Sequence, residues 1–294
     1  MFKDVFRLKP THPDISKEVI RLAWPVIFSN FSRVLMGLVD MAMVGRLGSP
    51  ALAATGMGAM LTWAIISFAI GLRTGTQTIT ARRLGQKKYD ECGLALHNGL
   101  FMGLVYGIPM SIIGFKFAPN FVPLFLGGEA GLLCIEYTQV AFISVSVTSL
   151  AFIFQGFFAG VEKTKIHMQV SITSNIINVY LNAGLIYGLD GLTAFFESLN
   201  LAWIIPLWSW FPFPAMGVKG AAIATVIASG WSFIHYSTFL FSKKIKHKFN
   251  VLSFSHDSTM MKKQFWLALP MGIQEMFNSF GWSVFYKIMA LIGI

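Results

Sequence analysis

Leu35-Met36-Gly37-Leu38-Val39-Asp40-Met41-Ala42-Met43-Val44 sets one carboxylate in an otherwise apolar run, and it closes an apolar segment that begins near Ile20. A hydrocarbon core of about 30 Å is crossed by about 20 helical residues, so residues 20–44 are long enough to span it. Segments of the same character recur near 51–72, 93–115, 132–159, 168–189 and 218–241, and a seventh begins near Phe265 and runs to Ile294. They lack the roughly ten-residue alternation of outer-membrane strands. Irregular backbone cannot face lipid, which leaves helices as the spanning element. Composition agrees: of 294 residues 55% are hydrophobic and 12% charged, with a mean hydropathy of +0.63, against about 25% charged in soluble domains. The 28 Phe, 8 Trp and 7 Tyr exclude disorder, and two cysteines, Cys92 and Cys134, exclude a disulfide scaffold. The chain reads as an all-α polytopic membrane protein.

The formal charge of +10 would point to nucleic acid in a polar protein. Here the basic residues gather in alternate connections, so no nucleic-acid partner is expected; the bilayer is the partner. A polar leader (1–19) with Arg21 just beyond it, the second connection (Arg73, Arg82, Arg83, Lys87, Lys88), the fourth (Lys163, Lys165) and a basic linker (242–264) hold 18 Lys and Arg. The other connections hold Arg46, Lys116 and Lys219. That asymmetry predicts a cytoplasmic amino terminus. Residues 190–217, rich in Trp and Phe with prolines at 206, 212 and 214, read as an interfacial aromatic loop with a short helix at headgroup level. A substrate lid is the alternative.

Leu22-Ala23-Trp24-Pro25 opens the first span and Leu267-Ala268-Leu269-Pro270 the seventh; 23 residues beyond each proline stands a glycine, Gly48 and Gly293. Transporters are often built from two such halves. The spacing predicts a six-helix N-terminal lobe (20–241) and, from 265, the first helix of a second lobe of which about five more helices would follow. On that reading the partner is the remainder of the same chain, and a complete molecule is expected to be a monomer. A self-sufficient seven-helix protein leaves the repeat unexplained.

An ionised, unpaired carboxylate inside a span costs several kcal/mol, so Asp40 is a functional candidate. Arg33 lies seven residues earlier on the same face. A buried Asp40–Arg33 pair that only holds helices together is one reading. A protonatable or cation-binding carboxylate is the other, and a gap of roughly 10 Å favours it. Ser171, Asn175, Asn178 and Asn182 form one polar stripe at i, i+4, i+7, i+11. It serves either interhelical hydrogen bonding, at about 0.6–2 kcal/mol per site, or ion coordination beside Asp40. Thr225 offers a further oxygen. The seventh span adds Gln274, Glu275 and Asn278, with Lys287 deeper and Glu275 still near the interface. Gly99, Gly103 and Gly107, four apart, allow a close helix approach. Met and Phe side chains line a drug chamber or face lipid. The six His show no metal-ligand spacing, and no GxxxxGK[ST] loop is present.

Pro25, followed by residues 38–48 (Leu-Val-Asp-Met-Ala-Met-Val-Gly-Arg-Leu-Gly), resembles the first-helix signature of the multidrug and toxic compound extrusion transporters. Thr80-Ala81-Arg82-Arg83-Leu84-Gly85, residues 175–188, and residues 217–225 resemble further segments of that family, in its order. Asp in the first-helix position resembles the prokaryotic branch related to DNA-damage-inducible protein F. The resemblance implies two six-helix bundles in the bacterial inner membrane, and antiport of organic cations or other amphipathic compounds against H⁺ or Na⁺, with no organic cofactor. It implies ion coupling at Asp40, with Asn175, Asn178, Asn182 and Thr225 beside it; a sodium ion at Asp40 and Asn178 is one candidate occupant. The substrate-cavity candidates are Arg33, Met36, Gln155, Ser171, Gln274 and Asn278. Three departures stand out: Asn182 where some members carry an acid, a longer aromatic insertion around 194–213, and no proline after Lys163-Thr164-Lys165.

Two rivals have sequence consequences. A lipid-linked oligosaccharide flippase of the same superfamily needs a cationic cavity, and only Arg33 and Lys287 are expected within spans. An intramembrane enzyme needs a convergent nucleophile or metal constellation, and none is visible, so a non-enzyme is expected. For a chain that carries one lobe, a non-transporting membrane protein is the bland alternative.

Overall fold

The computed structural model describes residues 13–198, 200–253 and 255–292. The leader up to residue 12 and Gly293, the last member of the repeat, lie outside them. Every described element is helical: α1 (Pro13–Gly45), α2 (Ser49–Ile66), α3 (Phe68–Gly85), α4 (Tyr89–Phe121), α5 (Gly128–Gly160), α6 (Thr164–Ser198), α7 (Gly217–Leu240), α8 (Lys243–Phe249) and α9 (Ser258–Ile292), with short 3-10 turns at Val122–Leu124 and Ala202–Leu207. Six stretches among the described residues are long and apolar enough to cross a membrane, α2 and α3 together forming one of 37 residues; α9 is not among them. The chain is a multi-pass helical membrane protein.

The first five spans outrun the apolar segments that predict them, while α7 matches its segment to within a residue at each end. The second span shows this best. Its predicted end at residue 72 is where Arg73-Thr74-Gly75-Thr76-Gln77-Thr78 lowers the hydropathy. The hydroxyls of Thr74 and Thr76 donate back to the carbonyls of Ile70 and Leu72, both at 2.9 Å, so these residues stay helical without water. Arg73 is therefore a helix residue, not a loop residue. The segment 80–85, expected after the span, forms the last turns of α3.

α5 lies at the centre, against α2, α3, α4 and α7. α4 meets it through the predicted glycines: a Cβ on Gly103 would lie 3.3 Å from Ile153 Cγ1, and one on Gly107 2.7 Å from Ser146 Cα. α1 sits at the edge and packs chiefly along α6. The basic segment 242–264 is not a simple tether. It contains α8, whose Ile245 and Phe249 are buried, and α9 begins seven residues before the predicted Phe265. Buried side chains of α4 hold the intervening turn: His97 Nε2 lies 2.8 Å from Val251 O, and Asn98 Nδ2 donates to Asp257 O at 3.2 Å.

The aromatic segment also departs from expectation. α6 continues to Ser198 across a break at Gly188 (φ 69°, ψ 173°), and the chain then folds back on the ends of α6 and α7. Met216 N–H donates to Leu185 O at 2.8 Å, and Leu189 N–H to Phe213 O at 3.2 Å. Trp208 and Phe213 are buried against Ala183, Leu185 and Ala224, while Trp203 and Trp210 stand out. A flat surface loop would expose them all; here Trp208 and Phe213, with Phe196 packed against them, form a core of their own. Gly188 permits the return, because only glycine adopts that backbone readily and a Cβ would lie 2.9 Å from Ala215 N. Gly188→Ala is expected to destabilise the protein by about 2 kcal/mol, read as a lower melting temperature in detergent with near-wild-type helicity.

Candidate functional site

The Asp40 carboxyl projects from the C-terminal third of α1 toward α6. Asn182 Nδ2 donates to Asp40 Oδ1 at 2.5 Å and to Asn178 Oδ1 at 2.9 Å. Asn178 is in turn 3.4 Å from Thr225 Oγ1, which donates to Ala221 O. Asn178 and Asn182 are buried and Asp40 is partly so. The i, i+4 spacing of the two asparagines on α6 puts both amides on the α1 side, and Gly220 lets α7 bring Thr225 close, since a Cβ there would strike Leu185. Among the described residues no cation lies within ion-pair distance of Asp40.

Asn182 Oδ1 is buried without a hydrogen-bond partner among the described residues. The Asn178 amide has two orientations open to it: its oxygen accepts from Asn182 Nδ2, or, turned over, its nitrogen donates to Asp40 Oδ1 at 3.2 Å while its oxygen accepts Thr225 N–H at 3.3 Å. The donor set, one carboxylate with amide and hydroxyl oxygens, suits H⁺ or a hard cation such as Na⁺.

Other sequence candidates fall in different places. Asn175 donates to Ser32 Oγ at 2.8 Å, one turn from the Asp40 cluster. Met36 is buried and lines a groove of about 420 Å³ between α1 and α6, closed by Tyr180 and Trp208. Arg33 does not pair with Asp40: it donates to Asn30 Oδ1 at 2.6 Å and, with Gln155 and Ser171, lines a separate cavity. Gln274 and Asn278 are exposed on α9, which packs on α3 and α2 rather than beside α1 and α6, so they do not join the cluster. Lys287 reaches the carbonyl of Leu124 and lies 5.9 Å from the Phe125 ring. Sequence reasoning missed Arg73, His167 and Tyr236. His167 bridges Gln155 and Tyr236 at 2.9 and 2.7 Å, and since Tyr236 is 69 residues away, no local spacing could have revealed it.

The MatE family model matches residues 25–183, more than half of the chain, with Asp40, Asn178 and Asn182 inside the match. The chain belongs to the MatE family. Its relatives include a protein described as "Probable multidrug resistance protein NorM" from Thermotoga maritima, 25% identical over 74% of this chain and 42% of that one. Another is "DNA damage-inducible protein F" of Escherichia coli, 27% identical over 72% of this chain and 41% of the relative. The MatE chain thus spans about half the length of the curated relatives it matches. Among solved structures it resembles an outward-facing multidrug resistance MATE family transporter (TM-score 0.73, 23% identity, 88% of this chain and 52% of that one). It also resembles a MOP superfamily transporter from Pyrococcus furiosus, whose description reports a binding pocket of reverse polarity (TM-score 0.73, 22% identity, 88% and 52%). At these identities the structures establish the shared fold.

Proposed function

We propose that this MatE chain forms the ion-coupling lobe of a secondary antiporter that exports amphipathic compounds in exchange for H⁺ or Na⁺. It works in a bacterial inner membrane with its amino terminus in the cytoplasm, and it is a transporter rather than an enzyme. The observation that carries this reading is the partly buried Asp40 carboxyl, which accepts from Asn182 Nδ2 at 2.5 Å and has no cation within ion-pair distance among the described residues. A proton or a cation satisfies the carboxyl, and losing it leaves a charge unpaired inside a span. The helix movement that relieves it links ion occupancy to the seating of α1 on α6. An ion drives such a change by its difference in affinity for the two arrangements.

The groove holding Met36 shares α1 and α6 with the cluster, so α1 movement alters both. The family resemblance implies organic cations or other amphipathic compounds as cargo. The test is substrate uptake into inverted vesicles containing the chain, with proton and sodium gradients collapsed separately. Collapse of one gradient should stop export while collapse of the other leaves it intact; export that survives loss of both contradicts antiport.

A further inference from the structure

A second cavity, of about 170 Å³, opens between α1, α5, α6 and α7. It lies roughly 10 Å from Asp40 toward the amino-terminal end of α1. Drug-sized ligands usually occupy about 300–1,000 Å³, so this space suits one polar group of a larger compound. Its wall carries Arg33, Gln155, His167, Tyr236 and several serine hydroxyls, and neither aspartate nor glutamate lines it.

The charges there are one-sided. Arg33 has Asn30 Oδ1 as its hydrogen-bond partner and no carboxylate within ion-pair distance among the described residues. Behind the wall a second guanidinium, Arg73, lies with its Cζ 6.0 Å from the Phe152 ring, and its buried Nε has no partner. The charge of Glu275 on α9 reaches Arg73, but this carboxylate too stays beyond ion-pair distance. A guanidinium set within a membrane span without a counter-charge is costly and marks a place where one arrives.

The hydrogen-bond chain adds a donor. Gln155 Nε2 can only donate, so at 2.9 Å it makes His167 Nε2 an acceptor. The ring proton then sits on Nδ1 and is donated to Tyr236 Oη at 2.7 Å. Tyr236, 3% exposed, thus accepts from His167 and keeps its own O–H free to donate into the cavity. A guanidinium and a hydroxyl donor that share a pocket free of carboxylates match an oxyanion.

We infer that this cavity binds an oxyanion, a phosphate or carboxylate group carried by an amphiphile, through the Arg33 guanidinium and the Tyr236 hydroxyl. The inference rests on the transporter reading for the source of its ligand and narrows the substrate to compounds with an anionic group. Flux is not needed to test it. The full 294-residue chain in phosphatidylcholine nanodiscs is titrated with two matched fluorescent probes, a dansyl-alkyl phosphate and a dansyl-alkyl ammonium.

The phosphate probe should bind at least tenfold more tightly. Arg33→Gln and Tyr236→Phe should each weaken it about tenfold, the scale of a hydrogen bond to a charged group, and leave the ammonium probe unchanged. Tyr236→Phe keeps the ring packing but leaves His167 Nδ1–H without its acceptor, so some fall in melting temperature is expected; an unchanged ammonium-probe affinity beside the lost phosphate binding separates recognition from folding. Competition by inorganic phosphate would identify a soluble ligand, and competition by phosphatidylglycerol in the disc a lipid headgroup; either supports the site. Equal or tighter ammonium binding, or variants without effect on the phosphate probe, overturns it. Equilibrium binding is read without a gradient, so failure here leaves coupling at Asp40 standing, and a failed flux assay leaves this result standing.

Discussion

Asp40→Asn should remove gradient-driven export while the protein folds and binds substrate as before. The substitution keeps the shape of the side chain, and Asn182 can still donate to the remaining carbonyl oxygen. What disappears is the group that takes up a proton or holds a cation beside Asn178 and Asn182. Coupling energies of 1–3 kcal/mol correspond to about 5–150-fold changes, so the gradient-dependent part of efflux should fall on the order of 100-fold. Melting temperature and equilibrium binding of substrate should change little. Asp40→Glu retains the charge but presses an extra methylene against a 2.5 Å contact, and should restore export only in part. Full ion-driven efflux by Asp40→Asn would place the coupling elsewhere. Asn182→Ala should weaken coupling less, since Asn178 still faces the carboxyl.

Gly71→Val should be the most damaging packing substitution considered, because it acts where α3 and α9 touch backbone to backbone. A Cβ on Gly71 would fall on Ala268 O and lie 2.5 and 2.6 Å from Gly272 N and Cα; on Gly75 it would lie 2.7 Å from Gln264 O. Small residues are what permit such approach between helices in lipid, where packing rather than the hydrophobic effect drives association. Neither helix backbone can yield locally, so α9 must tilt or leave. The buried bond from Gln264 Nε2 to Thr76 Oγ1 at 2.6 Å then breaks. Overpacking of this kind costs about 3 kcal/mol or more. A melting temperature lower by on the order of 10 °C is expected, together with protease access to residues 250–257. An unchanged melting curve would mean that α9 is not held by this contact.

Much of the architecture is legible in the sequence alone. Six spans follow from apolar length, and the close approach of α4 to α5 follows from glycines four residues apart. The bounds of the second span were not legible, because threonines that bond their own helix look like a loop to a hydropathy scale. That misreading hid Arg73, and with it the cationic character of the Arg33 cavity. The aromatic insertion was misread for a related reason: composition shows that Trp and Phe are abundant, not that Trp208 and Phe213 turn inward while Trp203 and Trp210 turn out.

The site divides in the same way. Residue spacing alone put Asn178 and Asn182 on one face of α6 and singled out Asp40, because 3.6-residue periodicity and the expense of a carboxylate in hydrocarbon are local properties. Tertiary structure decided the partners. It set Asp40 against Asn182 rather than Arg33, sent Arg33 into another cavity with His167 and Tyr236, and left Gln274 and Asn278 on an outer helix. Those outcomes depend on which helices neighbour one another and at what rotation. Close packing between segments far apart in the chain sets both, and no local pattern encodes either.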